Sequence, residues 1–178
     1  MKQFFRSMAG ATLLLGMPLM AADAPPVDIK QVMLTQVNPQ GLALWDITNE
    51  ATGDDGRIDA RKLSPAQWAA LLKIGQSLQD GGQKLATKGG IRAAAPGVKL
   101  QSEGEPNAAK AADVDRWIKA RPAKFRALAQ GLQQTGAGVV DAATRRDVKK
   151  LGDLSGKLDE VCEACHTAFW YPNQVIPK

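Results

Sequence analysis

The chain of 178 residues contains one histidine, two cysteines and one tyrosine. Each scarcity excludes something. Two cysteines cannot build the disulfide framework of a small exported scaffold. A single imidazole leaves no second histidine for acid–base help beside a reactive centre, so an enzyme of that kind, such as a peroxidase, is not expected. Apolar runs are also short. None approaches the roughly 20 residues of a spanning helix. No stretch of alternating β-branched residues marks a strand, whereas the wealth of alanine, leucine, lysine and glutamine favours helix, so the expected class is all-α.

What is present is concentrated. Both cysteines and the only histidine fall within five residues, Cys162-Glu163-Ala164-Cys165-His166. This is the C-x-x-C-H attachment signal for c-type haem. Two thiols one helical turn apart can each add to a vinyl group of one porphyrin, and the following imidazole is placed to bind its iron. One covalent haem c per chain is the expectation, with Cys162 and Cys165 as tethers and His166 as metal ligand. A thioredoxin-like pair would need a βαβ context, and none surrounds Cys162. A structural zinc would need a carboxylate as its fourth ligand.

The other end of the chain agrees. Lys2 and Arg6 precede a short apolar run interrupted by Pro18, and Ala21-Ala22 supplies a small-residue cleavage site. Residues 1–22 read as a cleavable export signal and not a membrane anchor, with the periplasm as the expected address. Residues 23–178 are one domain by length, with no membrane span expected after cleavage. The formal net charge of +5 includes Lys2 and Arg6, so the remainder is mildly basic. That balance does not imply nucleic acid and permits an acidic redox partner.

Four helical regions are expected. The first runs from about Asp28 to Glu50. Asn38-Pro39 interrupts it, either as a kink or as a cap with proline at the first position of a new segment. The second begins at Ser64-Pro65 with Trp68, Leu71, Gly75, Leu78, Gly82 and Leu85 on one stripe. Gly75 and Gly82 there signify either a close helix crossing or space for a flat cofactor. The third runs from about Ala111 to Gly136, divided at Pro122. The fourth runs from near Asp141 through Trp170 and stops at Pro172. Its seam of Leu151, Leu154, Leu158, Val161 and Cys165 puts the thiols on or beside the core face, with His166 on the same side as Cys162.

Between these regions, Asp54-Asp55-Gly56 reads as a solvated turn and not a calcium site. The long segment from Thr87 to Lys110 is a candidate cover for a haem edge, with Lys88, Arg92 and Lys99 as candidate propionate partners. Trp45, Trp68, Trp117, Phe125, Phe169 and Trp170 fall at helical spacing and read as core. Phe169 and Trp170 follow the haem turn, so at least one of them is expected against the porphyrin. Tyr171 is a candidate propionate donor.

Four amphipathic helices with Cys162, Cys165 and His166 in the last one resemble the class II c-type cytochromes: cytochrome c-prime and its low-spin, six-coordinate relatives. Two features differ from the usual c-prime pattern. Phe169-Trp170-Tyr171-Pro172 follows the motif in place of basic residues, and Asn38-Pro39 breaks the first helix. The resemblance implies a four-helix bundle in which the first helix faces the open side of the haem. Met33 lies in that helix and is the sole methionine beyond the export segment. It is therefore the candidate second metal ligand, although an isolated methionine also serves as core filler. With His166/Met33 ligation the protein would be a one-electron carrier serving redox partner proteins. Without Met33 it would be five-coordinate and bind nitric oxide or carbon monoxide. A homodimer is compatible with the resemblance.

Overall fold

The computed structural model describes residues 25–101, 103–105 and 108–171. The expected export segment 1–22 and Pro172 lie outside the described residues. The all-α expectation holds. A two-residue strand, β1 (Val27–Asp28), leads into α1 (Ile29–Val32), a π-helical turn (Met33–Val37) and α2 (Asn38–Ala51). After a 3-10 turn (Ala60–Lys62) come α3 (Pro65–Leu85), β2 (Ile91–Arg92), α4 (Ala111–Ala120), α5 (Pro122–Arg145) and α6 (Val148–Phe169). Among the described residues no helix is long and apolar enough to cross a membrane.

Local chemistry explains where these helices start. The Asp28 carboxylate accepts from the Gln31 N–H at 3.0 Å and caps α1. Ser64 and Gln67 form a reciprocal capping box at α3, with Pro65 inside the first turn where its missing N–H costs nothing. Pro122 opens α5 in the same way. The start of α6 was misjudged from sequence. The third region continues past Gly136 to Arg145, and Asp141 lies inside it. The break comes at Arg146, whose left-handed backbone (φ 54°) ends α5, and Asp147 then caps α6 by accepting from the Lys150 N–H.

Asn38 does not cap a new segment at Asn38-Pro39. The backbone stays helical through the pair, and the irregularity is moved upstream into the π turn. There the Asn38 N–H reaches five residues back to the Met33 carbonyl. A proline crowds the carbonyl four residues before it, and a turn holding one extra residue accommodates this without ending the helix.

Four long helices pack in a ring: α3 on α5, α5 on α6, and α2 on both α3 and α6. Leu44, Leu71, Leu78, Val139, Leu151 and Leu158 are fully buried at its centre. The tightest seam is α3–α5. A Cβ on Gly75 would lie 2.8 Å from the Val140 nitrogen and 2.9 Å from the Gly136 carbonyl oxygen. One on Gly82 would strike the backbone of Gln133. These glycines therefore serve a close helix crossing and not a cofactor space. The long connection 87–110 is tied down by parallel pairing of β2 with β1, where Ile91 faces Val27.

Candidate functional site

Facing stripes on α2 and α6 build the site. Val37, Gly41 and Trp45 recur every four residues on one side; Leu158, Cys162 and His166 do so on the other. Together they enclose an opening of about 580 Å³, inside the range of ligand cavities. At its inner end the seam is closed by polar contacts. The Trp45 indole N–H donates to the Ser155 carbonyl at 3.2 Å, and the Thr48 and Ser155 hydroxyls lie 3.1 Å apart.

A second, smaller opening of about 150 Å³ adjoins it. Met33, Cys165 and His166 all line it, with Phe125, Trp170 and Leu100. Asn38, His166 and Tyr171 border both openings. The four sequence-predicted site residues thus divide: Cys162 faces the larger opening, Cys165 and Met33 the smaller, and His166 both. Met33 is not part of the larger one's wall.

The end of α6 curls around the imidazole. The His166 carbonyl accepts the N–H groups of both Trp170 and Tyr171, each at 2.7 Å. This brings the Trp170 and Tyr171 rings to 6.4 Å from the imidazole centroid. Phe169 turns the other way. It is only 1% exposed, meets Phe125 edge-on at 5.4 Å, and lies beneath the Arg121 guanidinium at 4.8 Å. Both aromatics expected at the cofactor border the smaller opening, and Phe169 is at the same time part of the core.

Burial dominates the electrostatics. It pushes the Cys162 thiol up to about 11, with Asp159 adding to the rise, and the Cys165 thiol up to about 12. Among the described residues no cation lowers either thiol, which is unlike the environment of a redox-active pair. Burial also lowers the His166 pKa, favouring the neutral imidazole that binds metals. Among the described residues, no three His, Cys, Asp or Glu side chains gather as the ligand set of a metal ion.

The surroundings are largely apolar, with Asp159 and Glu163 at the larger opening. Three large hydrophobic residues are exposed among those described, and two of them, Leu42 (59%) and Leu34 (45%), border these openings. The connection 87–110 reaches the Met33 side through Leu100 and Gln101, as a cover would. Its charged side chains are not at the site. Arg92 lies 3.4 Å from Asp28, and Lys88 borders a separate groove. The cation at the smaller opening is Lys30, whose ammonium donates to the Lys99 carbonyl at 2.7 Å. Sequence reasoning missed Lys30, Asn38 and Gly41 and treated Trp45 as core. The four-residue spacing from Met33 through Val37 and Gly41 to Trp45 was the available signal.

Compared with known protein families, with curated proteins and with solved structures, the chain matches none of them.

Proposed function

We propose that this protein is an exported class II c-type cytochrome and acts as a one-electron carrier. The carrying observation is that the only two cysteines and the only histidine form C-x-x-C-H, with Cys162 and His166 in the wall of an opening of about 580 Å³ and Cys165 in that of the smaller one adjoining it. The ring of α2, α3, α5 and α6 supports reading the fold as a four-helix bundle. Cys162 and Cys165 would tether the porphyrin, and His166 and Met33 would hold its iron. Residues 1–22 direct export to the periplasm.

Haem, when bound, supplies a one-electron iron couple. The chain's own contribution is to hold ligands and exclude water. Val37, Trp45 and Leu158 present apolar walls, and Leu100 closes the Met33 side. The Trp45–Ser155 contact anchors α2 to α6, so opening and closing of this seam is restrained at its inner end.

A second reading has one observation in its favour. Met33 borders only the smaller opening, which leaves room beside His166 for a five-coordinate iron that binds nitric oxide or carbon monoxide. Absorption spectra of protein exported with a haem-attachment system separate the two readings. A low-spin spectrum unmoved by carbon monoxide, turning high-spin in Met33→Ala, is the expected result. A high-spin wild-type spectrum shifted by carbon monoxide would favour gas binding, and no covalent haem would overturn both.

A further inference from the structure

Phe125 belongs to two openings at once. One is the smaller opening beside Met33, Cys165 and His166. The other is a groove of about 690 Å³ where the end of α3, the loop after it, α4 and the start of α5 meet. Its floor is apolar, made of Leu85, Ile91, Ile118 and Phe125. Its rim is cationic, with Lys88, Arg116, Lys119 and Arg126.

Little opposes that charge. Residues 111–126 carry five cations against two carboxylates. Asp115 accepts from the Ala93 N–H at 2.6 Å, and Asp113 is paired with Arg116 at 2.7 Å. The opening between α2 and α6 has the opposite sign: among the described residues Asp159 and Glu163 stand at it, without a Lys or Arg in its wall. Charge complementarity therefore steers an acidic surface to the groove and away from the α2–α6 opening.

We propose that this groove is the docking face for an acidic redox protein, whose carboxylates meet Lys88, Lys119 and Arg126. The inference rests on the electron-carrier reading. Phe125 is what ties the groove to that role, because a single ring borders both the groove and the opening that holds His166. With haem held by Cys162, Cys165 and His166, the docked pair would exchange one electron, the bound haem being oxidised and the partner's one-electron centre reduced. No atom or proton has to cross.

Two readouts on the haem-loaded protein test it. The first is a nitrogen-15 NMR map with poly-L-glutamate, which needs no electron transfer. Shifts confined to residues 85–91 and 115–126 are expected, lost in K119Q/R126Q and kept in K73Q/K157Q, which removes the same charge elsewhere. Shifts spread over every lysine would overturn the docking face. Displacement of poly-L-glutamate by micromolar dodecanoate would reassign the groove to a small amphipathic anion, and so would also overturn it.

The second readout is stopped-flow oxidation of the ferrous protein by ferricyanide, which takes one electron. At low salt, K119Q/R126Q should lower the rate at least about threefold, and added salt should do the same to the unmodified protein. Unchanged rates in both would overturn the redox role of the groove. Protein that carries no covalent haem would instead sink the electron-carrier reading, while the poly-L-glutamate map would still judge the surface on its own.

Discussion

Along α3 and α5, the glycines leave no room, because backbone from the opposite helix occupies the space that side chains at Gly75, Gly82 and Gly136 would take. Along α2 and α6, Gly41 borders an opening of about 580 Å³. A Cβ there would meet Leu158 and Trp45 at an ordinary 3.7 Å. The same residue type therefore closes one seam and borders the open part of another. Its neighbours account for the difference. In α3–α5 small residues face small residues, so the helices close on each other. In α2–α6, Trp45 and Leu158 hold the helices apart, and the space between them lies beside Cys162 and His166. A glycine on a seam is a permission for close approach, not a measure of free space.

The strongest way to break the comparison is to remove what the open seam is proposed to hold. A Cys162→Ser, Cys165→Ser double variant is expected to lose covalent haem entirely, read by pyridine haemochrome after denaturation. Its helix content by circular dichroism should persist, since the α3–α5 seam does not depend on the thiols. Next in size is Gly82→Ala. The new methyl meets backbone on the facing helix, so a loss of about 2–3 kcal/mol in denaturant unfolding is expected. Gly41→Ala should behave oppositely, unchanged or stabilised by up to about 1 kcal/mol, because the methyl fits and the helix gains propensity. Equal destabilisation by these two alanines would erase the distinction between the seams.

The smallest effect lies outside both seams. Arg61 donates side-chain and backbone hydrogen bonds to Asp59 and holds its carboxyl at about 2, below the ordinary 3.8. The depressed value means its contribution is present above about pH 4 and lost as pH falls toward 2. Both partners are near water, so Asp59→Asn should flatten the acid limb of stability only slightly, and leave the neutral-pH midpoint nearly unchanged.

How much of this was legible in sequence depended on whether the signal was local. Helix starts at Asp28, Ser64 and Pro122 were readable, because caps and prolines act within one turn. The α5–α6 boundary was not. Gly136 looks like a terminator from sequence, yet it is a packing residue whose partner, Gln79, lies more than fifty positions away. The actual stop uses a left-handed arginine, which composition does not flag. The pairing of Ile91 with Val27 escaped for the same reason, since two-residue strands have no period of their own. At the site, Cys162, Cys165 and His166 declared themselves by chemistry, and all three border the openings. Met33 was legible as the last methionine available. Its position in the smaller opening, and the contribution of Asn38, Gly41 and Lys30, depended on how α2 lies against α6.

The π turn at Met33–Val37 makes the position of the candidate ligand a matter of counting. It inserts one residue into a helix whose two flanks are otherwise in ordinary register. Wound as plain α-helix, the same residues would rotate everything before the turn by about 100° relative to everything after, and the wide turn absorbs that rotation. Ile29 and Met33 would then sweep round the axis, while Val37, Gly41 and Trp45 stayed where they are. The side on which the sulfur presents itself is thus set by the width of the turn between Val32 and Asn38, which absorbs the extra residue.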